Sequence, residues 1–168
     1  MRKEGNVRTL AMSSMLAALV FVATYFIKLP VSITQGYIHL GDGFILLGAC
    51  LLGTPAIPAA AIGSMLADLL GGYTVYCLPT FLIKGAVAAV AVWAFARKRP
   101  AWLRLCLLTV AELVMAAGYF VVEWLVLGYG LAAALGAVVP NLVQGASGVI
   151  VAAVLLPLMD RVRRMIRS

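Results

Sequence analysis

The sequence predicts an all-α membrane protein with six transmembrane helices, cytoplasmic N and C termini and a long first outward loop. Three observations predict it. Hydrophobic residues make up 64% of the 168-residue chain and charged ones only 11%, with a mean hydropathy of +1.08, whereas an ordinary soluble domain is about 45–50% apolar and about 25% charged. A globule of this size has nowhere to put that much apolar surface except against lipid. Glycine, proline and charge divide the chain into six apolar segments, and at ~20 apolar residues per crossing six crossings use nearly all of it. Finally, eleven of the thirteen Lys and Arg residues fall into three clusters: Arg2, Lys3 and Arg8; Arg97, Lys98, Arg99 and Arg104; and Arg161, Arg163, Arg164 and Arg167. Long apolar stretches separate the clusters, as the positive-inside rule requires. Five crossings would leave one terminal cluster outside, so an even number is favoured.

The net charge of +7 and pI near 9.7 therefore belong to membrane topology, and no nucleic-acid role is expected. The length suits a single integral-membrane domain over residues 1–168.

The first helix is expected at 8–28. Its apolar run continues from Leu10 through Ile27 without a small-residue cleavage site and exceeds the 7–15 residues of a signal core, so it is read as a span. Ser13 and Ala17, and likewise Ser14 and Ala18, stand four apart and with Ala11 give this helix a smooth side on which another helix can approach closely. That side fits either a partner interface (Ala11, Ser14, Ala18) or packing within the chain. The following segment, 29–42, is long for a connection between helices and mixes apolar with polar residues. Non-helical backbone at membrane level survives where protein buries it or where it lines an aqueous cavity, which makes this loop a candidate wall or lid.

The second helix, 43–53, is short, and Gly53-Thr54-Pro55 turns the chain into the third, 55–71. The fourth, fifth and sixth are expected at 79–97, 103–127 and 137–160. The loops then assigned outward, 29–42, 72–78 and 128–136, contain no Arg or Lys; Lys28 sits just before the first.

Ionisable groups inside spans are costly and mark where function is sought first. Helix five carries Glu112, Tyr119 and Glu123, spaced seven and four apart on one face. Helix six carries Asn141 and Gln144, followed by Ser147, and helix four places Lys84 four residues after Thr80. Glu123, Asn141, Gln144, Thr80 and Lys84 lie in the outer half of the membrane beneath the first loop, where they are free to converge. Lys84 and Glu123 fit either an ion pair between helices or contact with a ligand, and Asn141 and Gln144 fit either interhelical hydrogen bonding or a binding site. Asp42 is read as an N-cap or a ligand contact, His39 as a pocket donor or acceptor, Asp68 as a solvated helix terminus, and Glu112 as structural or functional. Cys50, Cys77 and Cys106 are widely spaced without a CxxC or neighbouring His, so packing rather than metal or disulfide chemistry is expected. No nucleophile–base constellation, phosphate loop, metal cluster or cofactor motif is present. An enzyme is not expected, and any energy for transport must come from outside this polypeptide.

Four segments occur in an order and spacing that resembles a known family. They are Gly36-Tyr37-Ile38-His39-Leu40-Gly41-Asp42, Pro79-Thr80-Phe81-Leu82-Ile83-Lys84-Gly85, Gly118-Tyr119-Phe120-Val121-Val122-Glu123 and Pro140-Asn141-Leu142-Val143-Gln144-Gly145. Together with the small-residue first helix they are similar to the substrate-binding S components of energy-coupling factor (ECF) transporters, in particular the riboflavin-type subgroup. The resemblance implies a six-helix subunit that binds a water-soluble vitamin or related metabolite near the outer face under the first loop. It also implies a membrane coupling protein (T component) and two ABC ATPases as partners, with the first helix meeting the coupling protein. Where that family has an Ala-xxx-Ala type motif, this chain reads Ser14-Met15-Leu16-Ala17-Ala18, which keeps the surface small. The substrate does not carry over. His39, Asp42, Tyr76, Thr80, Lys84, Tyr119, Glu123, Asn141 and Gln144 are the expected substrate-binding residues. Lys84, Glu123, Asn141, Gln144 and His39 suit hydrogen bonds to a polar ring, and Tyr37, Tyr76, Tyr119 and Trp124 suit stacking on it. The competing readings are a self-sufficient homo-oligomeric transporter and an intramembrane enzyme using Glu112 or Glu123.

Overall fold

A computed structural model describes residues 2–30 and 37–167, so residues 31–36 of the expected lid (29–42) lie outside the described residues. Helix α1 (Arg2–Phe26) leads into an antiparallel hairpin of β1 (Lys28–Pro30) and β2 (Tyr37–His39), with Lys28 opposite His39. Then come α2 (Gly41–Leu52), α3 (Ala56–Gly71), a 3-10 turn (Thr74–Tyr76), α4 (Cys77–Phe95), α5 (Ala101–Val121) running on into a π-helical turn (Val122–Val126), and α6 (Leu131–Arg167).

Four stretches are long and apolar enough to cross a membrane: Val7–Phe26, Thr74–Phe95, Ala101–Val126 and Leu131–Met165. The bundle's outside is apolar too, with Phe26, Leu125, Ile150 and Val154 among its exposed side chains. Such a surface suits lipid and would be a liability in water. Helices α2 and α3, of 12 and 16 residues, are apolar but shorter. Neighbouring helices follow the order α1, α3, α4, α5, α6, α2 and back to α1, while α2 also touches α4 across the middle. That central position explains why most of α2 is buried.

Alanine and glycine let these helices approach closely, as membrane packing favours. Ala49, Ala60, Ala88, Ala91 and Ala111 are sealed in the core. Any side chain at Gly63 of α3 would collide with the backbone carbonyl of Ala17 on α1. The small side of α1 is thus divided. Ala17 packs inside the chain, whereas Ala11, Ser14 and Ala18 are exposed.

Several expected boundaries move. The connection expected at 128–136 is instead the four residues 127–130, with Gly128 and Gly130 both at positive φ (68° and 88°), a backbone that favours glycine. Leu131–Leu135 are good helix formers, and Gly136 sits inside α6 instead of ending the preceding loop. Residues 77–78 join α4, and α2 begins two residues early. α6 also contains Pro140 and Pro157, each removing one backbone donor from the helix ladder.

Candidate functional site

The polar residues of the hairpin end form two layers. The lower layer is a sealed network built where α2 and α6 cross. A Cβ at Gly148 would lie 3.1 Å from the Asp42 Cβ, and this close crossing sets Gln144 against Asp42. The Lys84 ammonium donates to Asp42 Oδ1 at 2.6 Å, and both side chains are wholly buried. Gln144 Nε2 donates to the other oxygen, Oδ2, at 2.7 Å, while Gln144 Oε1 accepts the His39 backbone N–H at 3.0 Å. Met115 Sδ touches both Lys84 Nζ (2.9 Å) and Gln144 Nε2 (3.3 Å). Every charge in this layer has a partner, as burial demands.

His39 joins the two layers. Its Nδ1 accepts the Gly41 N–H at 3.0 Å, and its Nε2 faces the Gln144 amide nitrogen at 3.3 Å. The Thr24 hydroxyl stands 3.5 Å from the same Nδ1. Burial first, then the Lys84 charge, push the His39 pKa down to about 3 against an opposing pull from Asp42. The ring is therefore neutral at physiological pH.

Above lies a cavity between α1, the hairpin, α3, the 3-10 turn, α4, α5 and α6. Tyr37, Tyr73, Tyr76 and Tyr119 supply rings to its walls; Asp68 and Glu123 supply carboxylates; Thr24, His39, Thr80, Asn141 and Gln144 supply neutral polar groups; Ala137 and Pro140 supply apolar surface. Among the described residues, no lysine or arginine lines it. The Tyr37 hydroxyl donates to Asp68 Oδ1 at 2.6 Å, and burial together with that carboxylate raises the phenol's pKa. Asp68 Oδ2 is buried without a hydrogen-bond partner among the described residues. Tyr76 donates to Glu123 Oε1 at 3.1 Å, and Thr80 Oγ1 lies 2.9 Å from the Tyr119 hydroxyl. Lys28 Nζ stands 4.8–5.3 Å from the rings of Tyr25, Tyr37 and Tyr73, and together with the Tyr37–Asp68 bond this ties the hairpin to α3 and the following turn. The open space is about 40 Å³, room for about three waters at ~10–15 Å³ each. A ring-sized guest enters only if the hairpin or the tyrosines move.

Glu123 owes its position to the π-helical turn. The Leu127 N–H donates to the Val122 carbonyl at 2.8 Å and the Tyr129 N–H to the Glu123 carbonyl at 3.0 Å, widening the helix next to the cavity. Such bulges are frequent at functional sites.

Of the nine expected substrate-binding residues, His39, Tyr76, Thr80, Tyr119, Glu123, Asn141 and Gln144 line this cavity. Asp42 and Lys84 do not; they are spent on each other below it. Lys84 therefore does not pair with Glu123: its ammonium meets Asp42 of α2 instead, an encounter that spacing within single helices does not reveal. Nor is Asp42 an N-cap. Leu40 holds that position without a side-chain cap bond, and Asp42 is buried in the first turn, where a negative charge suits the helix dipole. Asp68, expected as a solvated terminus, is buried in the cavity wall; an ionisable residue in an apolar helix was the signal for it. Trp124 is 40% exposed on the bundle's outside, Ser147 bonds back to the Gln144 carbonyl, and Glu112 is buried against Gly145 with neither carboxylate oxygen bonded among the described residues. Thr24 and Tyr73 join the wall with no distinguishing mark in the sequence.

Comparison with known proteins accords with this architecture. The family described as the ECF-type riboflavin transporter, S component, matches residues 4–161. The thiamine precursor transporter HmpT of Lactococcus lactis is 32% identical over 160 residues, covering 93% of this chain and 90% of that protein. An uncharacterised protein of Pyrococcus woesei is 35% identical over 135 residues, covering 79% and 88%. A solved structure of the S component of a bacterial ECF transporter superposes with a TM-score of 0.69 at 20% identity, covering 97% of this chain and 99% of that one.

Proposed function

This chain belongs to the family of ECF-transporter S components, and from that premise we propose that it captures a neutral or cationic heteroaromatic metabolite of the vitamin type in the cavity beneath the hairpin. The observation that carries this reading is the composition of the cavity wall. Asp68 and Glu123 offer carboxylate oxygens, four tyrosines offer ring faces, and among the described residues no lysine or arginine lines the space. A ring bearing amino or hydroxyl donors satisfies such a wall, while a phosphate ester meets carboxylates with no cation to offset them. Riboflavin, a pyridoxine-like compound or a thiamine precursor all fit that description, and the relative named as a thiamine precursor transporter supports the last. His39, Tyr76, Thr80, Tyr119, Glu123, Asn141 and Gln144 are proposed to contact the substrate, and Asp42 and Lys84 to support them from below.

The same reading makes this the substrate-specific subunit of an ABC importer in a prokaryotic cell membrane. Its termini are cytoplasmic, six helices span, and delivery inward depends on a membrane coupling protein and two ATPases. The exposed Ala11, Ser14 and Ala18 supply the smooth helix face that docking on the coupling protein needs. Mass spectrometry of small molecules released from the purified protein tests the reading: a neutral, donor-rich heteroaromatic compound is expected, and recovery of a phosphorylated one contradicts it. Uptake into proteoliposomes is expected only with the coupling protein, the ATPases and ATP. Uptake by the chain alone contradicts the partnership.

A further inference from the structure

A second recess, of about 660 Å³, opens at the opposite end of the bundle between the α4–α5 connection and the end of α6. Arg97, Lys98, Arg99, Arg104, Arg163 and Arg164 line it, with Asp160 as its one acidic residue. Acceptors are scarce there. Arg104 Nη1 lies 3.0 Å from both oxygens of Asp160, and Arg163 Nη2 donates to the Phe95 carbonyl at 3.2 Å. The Nε of each of these guanidiniums is buried and has no hydrogen-bond partner among the described residues.

Solvated topology charges would look different. They would project into water with every N–H hydrated, whereas the Arg104 side chain is only 19% exposed. A volume of this size falls within the range of small-molecule sites, about 300–1,000 Å³. An anion with several oxygens complements such a lining, and planar guanidiniums match phosphate best.

Two indoles fix the level at which this recess sits. Trp93 is 54% and Trp102 66% exposed, and Arg99 stacks 4.2 Å over the Trp93 ring. Exposed tryptophans at the ends of apolar helices mark the headgroup region, and basic pockets between membrane helices bind lipid headgroups. We propose that this recess is a binding site for the phosphate-bearing headgroup of an anionic phospholipid, with Arg104 and Arg163 as its fixed contacts and Arg97–Arg99 closing over it. Free phosphate shares the chemistry but lacks acyl chains to lie along the bundle, so the lipid is the expected occupant.

The full chain in nanodiscs of phosphatidylcholine mixed with phosphatidylglycerol provides the test, read by native mass spectrometry of retained lipid. Selective retention of phosphatidylglycerol is expected. Arg99→Gln should weaken it about fivefold, from roughly the effect of one basic residue near a membrane surface, while Arg161→Gln, which removes the same charge from an exposed position outside the recess, should leave it within twofold. Arg104 and Arg163 hold structure as well as the site, so the loop variant Arg97→Gln/Lys98→Gln/Arg99→Gln is the stronger perturbation, with selectivity largely lost and helix content unchanged. Equal losses for Arg99→Gln and Arg161→Gln would show diffuse attraction and overturn the site. Displacement of the retained lipid by inorganic phosphate at millimolar concentration would overturn the lipid as occupant.

Discussion

The two ends of this bundle handle charge in opposite ways. At the hairpin end the cation inside the helices, Lys84, is sealed against Asp42, and the carboxylates of Asp68 and Glu123 remain at the cavity. At the basic end six cations share a recess with one aspartate. Each end carries an excess of one sign, and that excess is the basis of the two proposals: hydrogen-bond donors for the first, an anion for the second. The difference also separates support from contact. Lys84 and Asp42 look functional in the sequence because they are intramembrane charges, yet their geometry satisfies each of them with a protein partner.

The largest expected effect comes from breaking that sealed pair. Lys84→Ala leaves the Asp42 carboxylate buried without its cation, which costs roughly 3–5 kcal/mol and should lower the thermal midpoint sharply in detergent. Lys84→Met combined with Asp42→Leu should recover most of the loss. An unchanged midpoint for Lys84→Ala would erase the distinction between the two layers.

Next come the cavity carboxylates. Asp68→Asn and Glu123→Gln should each weaken ligand binding about tenfold or more, on the basis of about 1.5–3 kcal/mol for a hydrogen bond to a charged group, with helix content intact. Asn141→Ala should also weaken binding, and Glu112→Ala far less than any of these. Equal affinity across the four variants, measured by calorimetry, would remove the site assignment.

The pH dependence is intermediate in size. His39 has a folded pKa near 3 against an ordinary value of 6.5, so the unfolded or opened hairpin binds a proton that the closed one refuses. Stability of the closed form is constant above about pH 6.5 and falls as pH drops below it, by up to about 1.4 kcal/mol per pH unit. Protection of the hairpin amides in hydrogen exchange should follow this curve, and His39→Gln should flatten it. Smallest is Tyr37→Phe, which removes one hydrogen bond to Asp68 and should loosen the hairpin by about 1 kcal/mol, read as faster ligand release.

Much of this was legible in the sequence. Apolar composition and the basic clusters pointed to the helical membrane class, and Thr80, Tyr119, Glu123, Asn141 and Gln144 of helices four to six meet at one cavity, whereas Lys84 and Glu112 do not line it. What was not legible depends on tertiary rotation and backbone detail. Lys84 meets Asp42 because α2 sits at the centre of the bundle, and no periodicity within a single helix encodes that. Glu123 is set by a π-helical turn whose sequence, Val122-Glu123-Trp124-Leu125-Val126, reads as ordinary helix. Asp68 stands near a helix end, where a solvated terminus is the ordinary expectation, although an acid within an apolar helix obeys the same rule as Glu123. The division of the α1 surface follows from Gly63, which draws Ala17 inward and leaves Ser14 and Ala18 outside.

The central proposal is that the hairpin-end cavity accepts a donor-rich ring and, among the described residues, has no lysine or arginine in its lining to meet a phosphate. Equilibrium binding to the purified chain tests it most directly, using riboflavin, pyridoxine and a thiamine precursor, each alongside its phosphate ester. The account predicts that at least one unphosphorylated compound binds, about a hundredfold or more tighter than its ester, since an uncompensated like charge costs several kcal/mol. Equal or tighter binding of the ester would contradict it.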